Sequence, residues 1–142
     1  MLKLKLITFI VILNSTFSFG QKADEIIGKY RLPNNLDVEI FKSNGKYSGK
    51  IIALGDYDEG QKTDINNPEK SKRDIPLIGM VIIKNLEFDT DNKQWINGEM
   101  YGPEKGMFFN LKITEMREYE IEAVGSKYFF WKTLEWKKIQ VL

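Results

Sequence analysis

Residues 37–54 read DVEIFKSNGKYSGKIIAL, and this stretch decides the fold. Val38 and Ile40 alternate with Asp37 and Glu39, the period-two pattern of a strand with one buried face. Asn44-Gly45 follows. Both central residues of a type I′ turn need positive φ, which Asn and Gly tolerate best, so this pair is a strong hairpin signal. Lys46–Leu54 then returns antiparallel, with Gly49 marking a bulge or a close backbone approach.

The same grammar extends in both directions, with β-rich runs and turn signals about 8–12 residues apart. A first strand is expected near Glu25–Leu32. Downstream, Leu77–Lys84 is apolar on both faces, which fits either a strand covered on both sides or a short helical turn. Asp89-Thr90-Asp91-Asn92 is a turn cluster. Trp95–Tyr101 is the next strand and Pro103-Glu104-Lys105-Gly106 the next turn. Phe109, Leu111 and Ile113 alternate with polar residues, as do Tyr119, Ile121 and Ala123. Tyr128–Lys137 closes the series, with Tyr128, Phe130, Leu134 and Trp136 on one face. Eight sequential strands close most simply into an all-β, antiparallel up-and-down barrel, because closure removes both exposed edges. Such a barrel has an interior that side chains fill or that holds one small ligand.

The N-terminus carries an address. Lys3 and Lys5 precede the apolar run Leu6–Leu13, and Ser18-Phe19-Gly20 places small residues just before Gln21. This is the layout of a cleaved signal peptide over residues 1–20, leaving one domain over 21–142. The run is shorter than the roughly 20 residues a membrane-spanning helix needs, and no Cys follows it to take a lipid. The expected location is periplasmic or extracellular.

Composition narrows the function. The leader holds two of the 21 basic residues and no acid, so the remainder carries 19 basic against 20 acidic residues. That balance argues against nucleic acid and against stable electrostatic adhesion to anionic lipid, and no later segment is long and apolar enough for stable membrane insertion. The chain has no His and no Cys. Nucleophile systems built on them are therefore excluded, no transition-metal site is expected, and no cofactor motif is present. The expectation is a protein that is not an enzyme.

Residues 55–76, GDYDEGQKTDINNPEKSKRDIP, exceed the usual ~12–15 residues of a structureless connection, and long loops are commonly functional or mobile. Asp56, Asp58, Glu59, Asp64, Asn66 and Asn67 are oxygen donors, but their spacing matches no calcium loop, so solvated Asx turns are the preferred reading. Arg73 either pairs with a buried carboxylate, which is favoured, or faces a ligand anion. Tyr47, Trp95, Tyr101 and Trp131 sit on strands flanking the loop or closing the barrel. They fill the core or, with Arg73, are the candidate ligand-binding residues.

The ordered string Gly28, Gly45-Lys46-Tyr47-Ser48-Gly49-Lys50-Ile51, Thr63-Asp64-Ile65-Asn66-Asn67-Pro68, Arg73, Pro76-Leu77-Ile78-Gly79, Gly98 and Tyr101-Gly102-Pro103 resembles the small exported bacterial proteins of DUF2147. The resemblance implies a lipocalin-like barrel without an assigned activity or catalytic residues. Two departures stand out: Tyr30 where the family tends to carry Trp, and residues 125–130 in place of a more glycine-rich approach to Trp136. The expected function is binding of a small apolar or amphipathic ligand. The alternative is a structural or partner-binding accessory protein of the envelope whose barrel is filled.

Overall fold

The computed structural model describes residues 20–140; nearly all of the expected leader lies outside them. A helical turn, α1 (Gly20–Asp24), precedes eight strands. These are β1 (Gly28–Arg31), β2 (Asp37–Ser43), β3 (Lys46–Ala53), β4 (Val81–Asp89), β5 (Gln94–Gly102), β6 (Met107–Met116), β7 (Glu120–Lys127) and β8 (Phe130–Lys138). Each pairs antiparallel with the next, and β8 pairs back onto β1 to close the barrel. Short connections pair most strands with their sequence neighbours, and the one long connection, between Ala53 and Val81, still returns β4 beside β3.

Asn44 and Gly45 both have positive φ (52° and 76°), as the I′ turn requires. At Gly49 the β3–β4 register shifts, and a Cβ there would lie 2.7 Å from Ile83 Cδ1. The register shift bears out the bulge, and what crowds the position is the Ile83 side chain rather than a neighbouring backbone. The core runs through the barrel axis and includes Val38, Ile40, Ile51, Ile83, Leu86, Ile113 and Ile121, all fully buried.

Three boundaries differ from the sequence reading. The first strand is only Gly28–Arg31, because the chain before it curls through the Ile27 N–Asp24 O bond and buries Ile26 as a plug. The apolar run Leu77–Lys84 has two origins. Leu77 is a buried loop anchor, Gly79 turns the chain at φ 88°, and β4 starts only at Val81. Tyr128 belongs to the β7–β8 turn rather than to β8.

The long connection is folded. Thr63 and Pro76 form an isolated bridge, with Asp64 N donating to Ile75 O (2.9 Å) and Leu77 N to Lys62 O (3.0 Å). Tyr57, Asp64 and Leu77 are buried. One anchor at a time leaves no hydrophobic period, which is why the segment reads as structureless in sequence.

Candidate functional site

Strand alternation sorts the connections onto two rims. The β2–β3, β4–β5 and β6–β7 turns share one rim with α1. The β1–β2, β3–β4, β5–β6 and β7–β8 connections share the other.

The α1 rim is plugged. Tyr30 Oη donates to Ile26 O (2.8 Å), Trp95 Nε1 to Ala23 O (2.9 Å) and Tyr47 Oη to Asp24 Oδ1 (2.6 Å). The Tyr47 bond and Lys42 hold the Asp24 carboxyl below its ordinary range, while burial pushes the Tyr47 hydroxyl up. Two of the five sequence candidates, Tyr47 and Trp95, are thus engaged in fastening the N-terminal segment.

At the opposite rim a cleft of about 440 Å³ opens between the β1–β2, β5–β6 and β7–β8 hairpins. Its buried lining includes Leu32, Leu36, Met100, Leu111, Ala123 and Trp136. Phe109 lies between two glycines: a Cβ at Gly102 would be 3.3 Å from its ring, and one at Gly125 3.2 Å. The glycines make room for the ring, and the ring with its surroundings shapes the cleft. Phe108, Phe130 and Trp131 also line it and are 54%, 80% and 75% exposed. Lys105, Lys127 and Lys132 line it as well, whereas Glu104 is its one carboxylate. Among the described residues none of these lysines forms an ion pair.

The cleft exists because closure is incomplete on this side. β1 ends before Leu32-Pro33, and β8 meets it only at Lys137 and Lys138. Proline has no N–H to continue the ladder. The first half of β8 therefore pairs with β7 alone.

Of the sequence candidates, only Trp131 lines the cleft. Tyr101 reaches the same rim but points its hydroxyl to Asp64 Oδ1 (2.8 Å), with its ring beside Phe108 (5.0 Å between centroids). Arg73 Nε donates to Asn67 O (2.8 Å), an internal loop contact rather than an ion pair. Asn67 Nδ2 holds Asp64 Oδ2 (2.7 Å), and Asn66 Nδ2 reaches the Pro103 and Glu104 carbonyls. Asp64, Asn66 and Asn67 are thereby engaged in folding the loop, Asn66 against the β5–β6 turn. Among the described residues no group of three or more His, Cys, Asp or Glu could hold a metal ion. The Phe109 cage and the Lys105–Lys127–Lys132 set were missed in sequence. The signal was there in Gly102 and Gly125 and in the aromatic run 128–131.

Comparison with known proteins places the chain. The family model described as "Uncharacterized protein conserved in bacteria (DUF2147)" matches residues 28–138. The chain belongs to this family. The match spans every strand of the barrel and so includes the whole cleft. A search of curated proteins finds no match. Among solved structures the chain is similar to HP1028 from Helicobacter pylori, described as belonging to the lipocalin family. The two share 23% identity over 82% of this chain and 84% of that one, with a TM-score of 0.71. This DUF2147 chain therefore has a lipocalin-like barrel.

Proposed function

We propose that the protein is a non-enzymatic binder of one small apolar or amphipathic molecule, held in the rim cleft. The observation that carries this reading is the cleft itself: about 440 Å³ with an apolar floor and three lysines in its wall. Ligand sites are concave, mostly apolar and of roughly 300–1,000 Å³, with a few polar groups that fix orientation. An acyl chain on the Leu111, Ala123 and Trp136 side, with an acidic group toward Lys105, Lys127 or Lys132, satisfies both kinds of surface. Phe130 and Trp131 are its most accessible aromatic walls. The lipocalin-like fold supports the same reading, since small barrels often hold one ligand. The N-terminal layout of Lys3, Lys5, Leu6–Leu13 and Ser18-Phe19-Gly20 supports export, with a mature N-terminus at Gln21.

Native mass spectrometry of the protein purified from its own host tests the proposal. A retained small molecule of stoichiometry one supports it. A bare protein that also ignores every apolar and amphipathic probe would instead favour the accessory-protein reading.

A further inference from the structure

We propose that the β7–β8 hairpin tip, Tyr128–Trp131, is an anchor for a lipid-bilayer interface bearing anionic headgroups. Tyr128, Phe129, Phe130 and Trp131 are four consecutive aromatics, 88%, 90%, 80% and 75% exposed. Burial does not explain them, and at Tyr128 the backbone argues against a bulky ring. Tyr128 has φ 54° in a turn between paired Lys127 and Phe130. Of the seven non-glycine residues at positive φ among those described, five are Asn or Asp, and Tyr128 is the one aromatic. In the two-residue connection between β2 and β3 the first turn position, at φ 52°, is Asn44. A bulky ring at positive φ is strained, and strain retained at an exposed tip points to a use for the side chain.

The shape selects the partner. The two turn residues project from the end of the hairpin, while Phe130 and Trp131, being adjacent in a strand, point to opposite faces. A rigid protein pocket would engage one direction. A fluid interface accepts all of them, and Trp and Tyr favour that boundary because their rings combine apolar area with a polar edge. Lysines stand beside the rings: Lys127 Nζ is 5.8 Å from the Tyr128 ring centroid, and Lys132 follows Trp131. With Lys105 on the neighbouring hairpin they complement an anionic surface. Contact of this kind is local, reversible and shallow, carried by the tip's own rings and lysines rather than by the overall charge, which disfavours stable adhesion.

Tyr128 and Phe129 separate tip contact from cleft occupancy, because they are not part of the cleft lining, whereas Phe130 and Trp131 are. The experiment is vesicle flotation with wild type and Tyr128→Ser/Phe129→Ser, both with the same N-terminus. The vesicles are phosphatidylcholine alone or with about one quarter phosphatidylglycerol. Wild type is expected to float with the anionic vesicles. The double variant should lose about tenfold in bound fraction with an unchanged circular dichroism spectrum. Lys105→Gln/Lys132→Gln should erase the difference between the two vesicle types. A second readout needs no variant. Trp95 and Trp136 are buried, so a blue shift on adding vesicles and quenching by brominated lipid report Trp131. No flotation of wild type, equal flotation of the aromatic variant, or no change in Trp131 emission overturns the proposal. So does tip-dependent dimerisation in sedimentation without lipid, which would assign the surface to a second copy.

Discussion

The Tyr101 hydroxyl donates to Asp64 Oδ1 at 2.8 Å, joining the rim of β5 to the middle of the 55–76 loop, with both residues buried. Asp64 accepts from Asn67 Nδ2 through its other oxygen. One carboxylate therefore fixes the loop to itself and to the barrel. Asp64→Ala should cost about 1–3 kcal/mol, because it leaves the Tyr101 hydroxyl buried without an acceptor. Urea denaturation measures the loss, and limited proteolysis should show faster cutting at Lys70–Arg73. Unchanged stability would mean the loop is held by its apolar anchors Tyr57 and Leu77 alone.

Tyr47→Phe removes the bond to Asp24 and should lower stability by about 1 kcal/mol, while leaving binding of any apolar probe in the cleft unchanged. A binding defect with intact stability would place the ligand at the α1 end instead.

The barrel was legible because most of its strands announce themselves by alternation, and the Asn44-Gly45 turn fixes the register of the β2–β3 hairpin. The position of the site was not. Trp95, Tyr47 and Trp131 look alike in sequence, each an aromatic in a strand, and only the rim on which each lies separates plug from cleft. The rim is set by strand boundaries, and those depend on features without a period: Pro33 ending β1, Gly79 delaying β4, and the plug at Ile26. Arg73 illustrates a related limit, since a backbone carbonyl such as that of Asn67 leaves no residue-type signature for its partner.

Tyr128→Asn relieves a ring from positive φ and should raise stability by about 1 kcal/mol. The thermal midpoint checks this. A fall would show that the ring packs against its neighbours in solution and is not held there at a cost to the fold.

Tyr30, Tyr47, Tyr57 and Tyr101 are all pushed well above the ordinary tyrosine range, chiefly by burial. A group whose folded pKa is raised gives stability that is present below its unfolded pKa and lost above it. Stability should therefore fall as pH rises past about 10, the unfolded tyrosine value. Absorbance at the tyrosinate band should show these four ionising only together with loss of the native near-ultraviolet circular dichroism. Ionisation of all four in a folded barrel would contradict the burial.

The central claim is that the Phe109-centred cleft takes an amphipathic guest, and calorimetric titration with dodecanoate tests it most directly, on wild type and on Gly125→Leu. A Cβ at Gly125 already lies 3.2 Å from the Phe109 ring, and Gly125 shares the inward face with Ala123, so leucine there occupies the cleft. The account predicts saturable one-to-one binding to wild type with a negative heat-capacity change from apolar burial. It also predicts at least about tenfold weaker binding to Gly125→Leu in a barrel that stays folded by circular dichroism. Absence of binding to wild type, or equal binding to both proteins, would contradict it.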